Sequence, residues 1–252
     1  MTNAVKNKII LGIDIGGTGI KAGLVDISNG SLQSEVLKVK TPRPSNPENV
    51  LKAVREVITA MNYKGPVGCG FPAIVHHAVV QNAANIDKKW IGTNSEKLFN
   101  RIRGCKFHVA NDADVAGMAE MHFGLGKGKK GTVIFITIGT GLGSALFRDG
   151  VLIPNTEFGH LNYREADYEF YASNTAREKH KMSWKAWGSQ FNHFIEHLRF
   201  IFSPDLIILG GGLSKRWVDY KGQITSKVKV IPARLQNHAG IIGAAVFAQS
   251  MD

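Results

Sequence analysis

The amino-acid sequence predicts an α/β protein built from two related lobes. Strand-like apolar runs alternate with helical patterns along its 252 residues, a length that fits one large domain or two lobes. The segment IDIGGTGIKAGL, which starts at Ile13, recurs 123 residues later as ITIGTGLGSALF, which starts at Ile136. We interpret this similarity as an internal duplication, in which each lobe opens with a glycine-rich hairpin and the two turns face a shared central cleft. Chance glycine richness is the alternative.

The composition excludes several classes of protein. Hydrophobic residues make up 44% and charged residues 20%, which is close to the globular norm and excludes a disordered or fibrous chain. The apolar runs are too short to cross a membrane, and the first one ends at Asp14 as a strand would, unlike a secretion signal. Cys69 and Cys105 are too few for a disulfide framework, and no Cys-x-x-Cys zinc motif occurs. A cytoplasmic protein is therefore expected.

The net charge of +11 suggests a polyanionic partner. A merely solubilising basic surface is the alternative. The segment GKGKKG at 126–131 matches Gly-x-Gly-x-x-Gly, but it precedes a strand, whereas a dinucleotide-binding fingerprint follows a strand and opens a helix. Its three lysines, Lys127, Lys129 and Lys130, belong either to a solvated loop or to the edge of a polyanion track.

Each element of the first lobe follows from local patterning. Residues 8–26 suit a strand, a glycine turn and a second strand, because apolar runs flank glycines that tolerate positive φ. Residues 31–40 suit a third strand after the Asn-Gly turn at 29–30. A helix is expected from the Asn-Pro-Glu sequence at 46–48, which supplies a cap and a first-turn proline. Its apolar stripe consists of Leu51, Val54, Val57, Ile58 and Met61.

The patterns divide the chain into a smaller lobe at 1–110 and a larger one at 111–236. The closing segment 237–252 is expected to pack back on the first lobe. The remaining expected elements are strands at 66–75 and 106–110, a helix from near Asp112, a strand, turn and strand in VIFITIGTGLGSALFRDG, a helix from Trp184 to Phe202, the strand and glycine turn DLIILGGG, and a helix at 237–249.

The two glycine turns are candidate phosphate sites. Exposed N–H groups in such turns can approach phosphate oxygens closely, and Asp14 could partner Mg²⁺ through a water molecule. No Gly-x-x-x-x-Gly-Lys-Ser/Thr occurs, so neither turn is a P-loop. An ordinary tight hairpin is the alternative for one turn alone, and the second copy favours phosphate binding. The candidate ligands are Asp14, Gly16, Gly17, Thr18 and Lys21 in the first copy and Thr137, Gly139, Thr140 and Gly141 in the second.

Asn111 and Asp112 stand where a strand is followed by a helix. Open α/β sheets place their active sites at the carboxyl ends of strands, and an ionised Asp there can accept a hydroxyl proton during phosphoryl transfer. The alternative is that Asp112 only caps the helix.

Two further segments contain polar pairs. Glu157 and His160 flank a glycine bend and could bind sugar hydroxyls, although a surface position is the alternative, and two such ligands are too few for a metal. The sequence HFIEH at 193–197 spells an inverted zinc-protease motif. We reject that motif, because helical spacing places its His and Glu side chains opposite the apolar face.

Together these motifs resemble those of the ROK family (repressor, open reading frame, kinase), and most closely its polyphosphate-using glucokinases. The likeness runs from about Ile9 to Ala248 and includes LGIDIGGTGIKAGLVD and TIGTGLGSALF as phosphate motifs, VANDADVAG as the catalytic segment and EFGHL as a sugar motif. The resemblance implies an actin-like (ribonuclease H-like) ATPase fold, in a glucokinase that phosphorylates the 6-hydroxyl of glucose.

The resemblance also implies roles for individual residues. Asp112 would take the hydroxyl proton, the glycine turns would hold phosphate oxygens, and Mg²⁺ would offset charge in the transition state. LIILGGGLS resembles the segment that holds adenosine in ATP-using relatives, which makes Gly210, Gly211 and Gly212 candidate nucleotide or polyphosphate contacts. The implied sugar ligands are Asn85, Asn111, Asp112, Glu157, His160 and Glu169.

The chain departs from the family pattern in two places. Many members carry a cysteine-rich zinc motif just after Glu-x-Gly-His, where this chain has NYREADYEFYASNT. We therefore expect no structural zinc, and what positions the loop from Glu157 to His160 stays open. Pro72-Ala73 replaces the Pro-Gly of many relatives, and both departures suit the polyphosphate branch.

The alternative functions differ from this one either in the phosphoryl donor or in the class of protein. The donor is expected to be inorganic polyphosphate, with ATP as a second donor, while a strictly ATP-dependent kinase is the near alternative. A repressor of the same family would carry an N-terminal helix-turn-helix, for which we expect no room before residue 9. Non-specific nucleic-acid binding lacks the aromatic and basic interleaving it would need. The expected partners are glucose and polyphosphate, in a homodimer, without nucleic acid or membrane.

Overall fold

Two glycine-turn hairpins each lie in a separate β-sheet. The computed structural model describes residues 8–251. Of these, 8–119 and 238–251 form unit 1, and Glu120–Asn237 form unit 2. The boundary lies within a helix, whereas the sequence analysis placed it just before that helix, after residue 110.

The first half of the chain supplies eight strands and three helices among the described residues. The strands are β1 Ile9–Ile15, β2 Gly19–Asp26, β3 Ser31–Leu32, β4 Leu37–Lys40, β5 Gly65–Phe71, β6 Val75–His76, β7 Val79–Val80 and β8 Cys105–Asn111, and the helices are α1 Pro47–Ala60, α2 Ser95–Phe99 and α3 Asp112–Phe123.

The main sheet of unit 1 has the order β3-β2-β1-β5-β8, with β4 also pairing with β2. β1 and β2 form an antiparallel hairpin, whereas β5 and β8 run parallel to β1, so the carboxyl ends of these three strands share one edge. The predicted start of α1 is confirmed, because Asn46 caps the helix by accepting from the N–H of Asn49 at 2.9 Å. Four predicted stripe residues of α1 are buried, namely Leu51, Val54, Val57 and Ile58.

Two predicted strands of unit 1 are wrong in length. The strand expected at 31–40 is split into β3 and β4. The hydroxyl oxygen of Ser34 accepts a hydrogen bond from the N–H of Leu24 at 3.1 Å and so interrupts the ladder. The strand expected at 66–75 ends at Phe71, because Pro72 has no N–H and the chain turns there, with the N–H of Ala73 donating to the carbonyl of Phe71 at 2.8 Å.

Unit 2 has a sheet of its own in the order β11-β10-β9-β14-β15. The helix predicted from Trp184 to Phe202 is confirmed at those bounds, with Ser183 as its cap. The strands are β9 Thr132–Ile138, β10 Leu142–Arg148, β11 Val151–Ile153, β12 Asn162–Tyr163, β13 Ala166–Asp167, β14 Leu206–Gly210 and β15 Lys229–Pro232, and the helices are α4 Tyr168–Ala172, α5 Asn174–Lys179, α6 Trp184–Phe202 and α7 Trp217–Tyr220.

The two glycine hairpins match in form but differ in length. The first turn holds the four residues between paired Ile15 and Ile20, and the second holds the three between paired Ile138 and Leu142. The constant shift of 123 residues is therefore wrong beyond the turns, where equivalent positions are 122 residues apart. The sequence overlay missed this deletion because Gly16 coincides with Gly139, and Ala22 with Ala145, without a gap.

The last helix, α8 Ala239–Met251, packs directly on the sheet of unit 1. Gly12 and Gly68 face its backbone, and a Cβ at either position would overlap the carbonyl groups of Ile241 or Ala244. Glycines on the strands thus let the helix approach closely. None of the helices among residues 8–251 is both long and apolar enough to cross a membrane.

Candidate active site

The first glycine turn closes the hairpin between β1 and β2. The N–H of Gly16 donates to the carbonyl of Gly19 at 2.9 Å. Asp14 pairs with Lys21 across the hairpin, and the Nζ of Lys21 lies 3.4 Å from Oδ2 of Asp14. The same carboxylate lies against Gly240 in the first turn of α8. Asp14 is thus a carboxylate held beside a cation at the start of a helix.

Asn85 reaches the first turn through its backbone. Its carbonyl oxygen lies 2.8 Å from where a Cβ of Gly17 would stand, so a side chain at position 17 would displace the segment. The Asn85 side chain is exposed. The structure therefore places this candidate sugar ligand beside the candidate phosphate turn.

The catalytic candidate lies at the same sheet edge as Asp14. Asp14 pairs with Gly70 of β5, which in turn pairs with Ala110 of β8. A Cβ on Gly70 would come within 3.6 Å of the Cα of Asp112. These neighbours lie at the carboxyl ends of parallel strands, where open α/β sheets bind their ligands.

Asn111, not Asp112, caps α3. The Oδ1 of Asn111 accepts from the N–H groups of Ala113 at 2.8 Å and Asp114 at 3.2 Å. Its Nδ2 donates to the carbonyl of Ala73 at 3.1 Å, and the residue is only 6% exposed. The alternative in which Asp112 serves only as the cap is therefore wrong. Asp112 is the first residue of the helix and is half-buried.

In unit 2, the loop that carries Glu157 is fixed from β10. The hydroxyl of buried Ser144 donates to the carbonyl of Thr156 at 2.8 Å and accepts from the N–H of Phe158 at 2.9 Å. These two bonds hold the residues on either side of Glu157. Burial raises the pKa of Glu157, His160 acts to lower it, and the neighbouring carboxylate of Glu169 acts to raise it further.

His160 is held by Asp167, a residue that the sequence analysis missed. Its Nδ1 lies 2.8 Å from Oδ2 of Asp167, while Oδ1 of Asp167 accepts from the N–H of Phe170 at 3.2 Å and caps α4. The hydrogen bond to Asp167 raises the pKa of His160, against the effect of partial burial. The capping position was readable before a short helix, but no sequence signal pairs it with His160.

The second glycine turn meets both candidate sugar-binding segments at Leu142. The N–H of Leu142 donates to Oε2 of Glu169 at 2.9 Å, and that carboxylate also lies against Gly141. On its other side, the carbonyl of Leu142 lies against Gly159, where a side chain would not fit. Glu169 and the loop from Glu157 are therefore joined to the turn that is a candidate phosphate site.

The glycine segment after β14 lies beside the same turn. Gly210 pairs with Thr137 of β9, and Gly211, with φ of 76°, lies against the backbone of Ile138. Gly212 begins the following 3₁₀ turn. This arrangement brings the candidate nucleotide or polyphosphate contacts next to Thr137 in the sheet of unit 2.

Three candidate polyphosphate contacts lie away from the second glycine turn. Lys127, Lys129 and Lys130 are exposed before the start of β9, at the opposite end of that strand from Gly139. Thr140, in the middle of the second turn, is exposed.

The side chains of the rejected zinc-protease motif have other partners. Glu196 accepts from Arg199 at 2.9 Å, and Nδ1 of His197 lies 3.2 Å from the hydroxyl of Tyr168. His193 is exposed. Among residues 8–251, no group of three or more His, Cys, Asp and Glu side chains could hold a metal.

The chain is similar to several known sugar kinases. The chain is 42% identical to the polyphosphate glucokinase of Mycobacterium tuberculosis, over 93% of this chain and 89% of that protein. Its structure matches the inorganic polyphosphate/ATP-glucomannokinase of Arthrobacter sp. strain KM with a TM-score of 0.93 and 44% identity, covering 98% of this chain and 100% of that one. It also matches a ROK family glucokinase from Streptomyces griseus, solved with glucose and AMPPNP, with a TM-score of 0.82 and 25% identity, covering 96% and 99% of the two chains.

These similarities confirm the predicted α/β fold of the actin-like ATPase type, which the matched sugar kinases share. The family model for ROK proteins matches residues 10–172, a span that contains both glycine turns, the catalytic candidate and Glu157 to Glu169. The chain belongs to the ROK family.

Proposed function

We propose that this protein is a glucokinase that transfers a phosphoryl group from inorganic polyphosphate, and also from ATP, to the 6-hydroxyl of glucose. The observation that carries the proposal is the 42% identity to a polyphosphate glucokinase over 93% of the chain. The geometry supports it, because Leu142 joins a glycine turn suited to phosphate with a carboxylate suited to a sugar hydroxyl.

Asp112 is the general base of this mechanism. It follows a parallel strand at the carboxyl edge of the sheet and begins a helix whose cap is supplied by its neighbour Asn111. Its carboxylate takes the proton from the 6-hydroxyl as that oxygen attacks the terminal phosphorus of the donor in line. The bond from the attacked phosphorus to the remaining donor breaks, and that donor leaves one phosphate shorter.

The sugar is held by charged and amide groups in this mechanism. Glu157, His160 and Glu169 accept from or donate to its hydroxyls, with Asn85 and Asn111 as further ligands. One hydrogen of the Asn111 amide binds the carbonyl of Ala73, which leaves the second hydrogen for a hydroxyl. The bonds from Ser144 hold the backbone on either side of Glu157, and the bond to Asp167 holds the His160 ring.

The donor phosphates bind the N–H groups of the two glycine turns, with Lys21 as a nearby cation. Mg²⁺ fits the first turn, because a proteinaceous Mg²⁺ site commonly uses one or two carboxylates and completes its shell with phosphates and waters. Asp14 supplies that carboxylate, with its side chain 19% exposed. The ion would be held by Asp14 through water and would neutralise charge on the phosphates.

The donor is tested by measuring glucose 6-phosphate with polyphosphate and with ATP supplied separately. Product from polyphosphate free of nucleotide supports the proposal. Product from ATP alone would leave the strictly ATP-dependent kinase, and product from neither would refute both. The proposed homodimer rests on the family resemblance, and the proposed cytoplasmic location rests on the low cysteine count.

A further inference from the structure

Three consecutive carbonyl groups of the first glycine turn are bound by one short segment, residues 41–43. The hydroxyl of Thr41 donates to the carbonyl of Gly16 at 2.6 Å, and its N–H donates to the carbonyl of Thr18 at 3.2 Å. Between them, Nη2 of Arg43 donates to the carbonyl of Gly17 at 2.9 Å.

These bonds fix the direction of the N–H groups of the turn. In a trans peptide the C=O and the following N–H point to opposite sides. The carbonyls of Gly16, Gly17 and Thr18 are turned toward residues 41–43. The N–H group in each of these peptides belongs to the following residue, and it therefore points away from that segment. Within residues 8–251, no protein group accepts a hydrogen bond from the N–H of Gly17 or Thr18. Adjacent N–H groups that point the same way form an anion-binding concavity.

The segment that turns the carbonyls is itself well anchored. Thr41 is 5% exposed and follows Lys40, which pairs with Gly19 in the sheet. Beyond Arg43, the carbonyl of buried Ser45 accepts from the indole N–H of Trp90 at 2.9 Å. The bonds from Thr41 and Arg43 therefore come from a stretch that is fixed at both ends.

We propose that Thr41 and Arg43 are positioning residues for the phosphoryl donor. They hold the first turn with its N–H groups directed at the terminal phosphates, so that the turn need not reorganise when the donor binds. The inference rests on the proposed function for the identity of the donor. It predicts that the variants bind the donor more weakly and that the KM for glucose changes little.

The test compares variants that remove one bond each. Thr41→Val keeps the shape and the N–H but loses the hydroxyl, whereas Thr41→Ser restores it. Arg43→Ala removes the bond to Gly17 from an exposed side chain, so folding is not at risk. The matched control is Thr59→Val, because the hydroxyl of Thr59 makes a similar bond, to the carbonyl of Arg55 at 3.0 Å, within α1.

The measurements are the KM values of both substrates and, by calorimetry without glucose, the Kd of inorganic polyphosphate and of ATP with Mg²⁺. We expect the donor constants to rise about fivefold in Thr41→Val and in Arg43→Ala. Thr41→Ser and Thr59→Val should resemble wild type, and the KM for glucose should stay within twofold throughout. Unchanged donor constants in both variants, or an equal rise for glucose, would overturn the inference.

The binding arm separates this inference from the proposed function. A wild-type protein that makes no glucose 6-phosphate would refute the kinase proposal. The ratio of donor Kd between variants and wild type would still decide the role of Thr41 and Arg43, and a wild type that binds neither donor would refute that role.

Discussion

His160 and Asp167 are joined by a hydrogen bond of 2.8 Å between Nδ1 and Oδ2. The other carboxylate oxygen of Asp167 caps the helix that carries Glu169. One side chain therefore links the Glu157–His160 loop to the helix that carries Glu169. The sequence analysis left open what positions this loop in a chain without the cysteine-rich motif. Asp167 and Ser144 supply hydrogen bonds that hold it.

The first prediction concerns the charge of His160. Its pKa is raised by Asp167, so the charged pair should stabilise the fold in full below the ordinary value of 6.5 and lose that contribution as pH rises through the raised pKa. Asp167→Asn keeps an oxygen for the cap but should lower the His160 pKa. Ring-proton NMR titration measures that pKa, and thermal unfolding should show a larger deficit at about pH 6 than at about pH 9.

The control for that experiment is Asp87→Asn. Asp87 caps the 3₁₀ turn at 88–90 by accepting from the N–H of Lys89 at 2.9 Å. Its substitution should leave the His160 titration unchanged. An unaltered His160 pKa in Asp167→Asn would contradict the assigned role of the pair.

The second prediction concerns the base. Asp112→Asn should lower kcat at least ~100-fold, because the amide cannot accept the hydroxyl proton. Glucose should still bind, and stability should change little, since Asn111 supplies the cap. Steady-state kinetics, calorimetry with glucose and thermal unfolding measure the three quantities. Activity above half of wild type would rule out this assignment.

Asn111→Ala is the structural counterpart of that variant. It removes the cap of α3 and should lower the free energy of unfolding by about 0.5–2 kcal/mol. If Asp112→Asn is destabilised as much as Asn111→Ala, its loss of activity cannot be attributed to proton transfer alone.

The third prediction separates the two roles of Glu169. Glu169→Gln keeps an oxygen for the N–H of Leu142 but loses the charge, so the KM for glucose should rise about tenfold or more while the donor KM changes little. Glu169→Ala also removes the bond to the second turn and should raise both constants. Glu157→Ala should raise the KM for glucose and leave the donor KM unchanged. Identical KM values for Gln and Ala variants would show that the Leu142 bond is irrelevant.

The fourth prediction concerns the basic loop before β9. A long polyphosphate that wraps past the turns would meet Lys127, Lys129 and Lys130, so changing all three to Gln should raise its KM and leave that of ATP nearly unchanged. Attraction at an exposed surface is screened over about 8 Å at physiological ionic strength, so polyphosphate-driven activity should also fall more steeply with salt. Kinetics with both donors across a salt series measures this.

A control for overall charge is available in the same unit. Changing exposed Lys221, Lys227 and Lys229 to Gln removes the same number of charges elsewhere in unit 2. An equal effect of both triple variants, or equal salt slopes for the two donors, would remove the polyanion track at Lys127 to Lys130.

The fifth prediction concerns the packing of α8. A Cβ at Gly68 would overlap the carbonyl of Ala244, so Gly68→Ala should lower the free energy of unfolding by about 1–3 kcal/mol. Gly222→Ala is the control, because no atom lies within 4 Å of its added Cβ. Urea unfolding followed by tryptophan fluorescence measures both. Equal stability of Gly68→Ala and wild type would mean that the helix can shift away from the sheet.

Local patterning determined much of the fold from the sequence. The apolar spacing of α6 gave both of its ends, and the Asn-Pro-Glu start gave the first turn of α1. Both glycine turns could be predicted because glycine clusters between two apolar, strand-like runs are typical of hairpin turns. The predicted strand at 66–75 was too long because the ladder ends before Pro72. The predicted strand at 31–40 was too long because the side chain of Ser34 interrupts the ladder.

The sequence by itself thus determined most of the longer strands and helices, the two turns and the residue types that could do the chemistry. Only the tertiary structure decided which groups meet. The hydroxyl of Thr41 donates to the carbonyl of Gly16, 25 residues away in sequence. The carboxylate of Glu169 accepts from the N–H of Leu142, 27 residues away. The deletion in the second hairpin also became visible only in its register. Such contacts depend on strand pairing and on how the loops pack, and these follow from the whole chain, since local spacing carries no information about them.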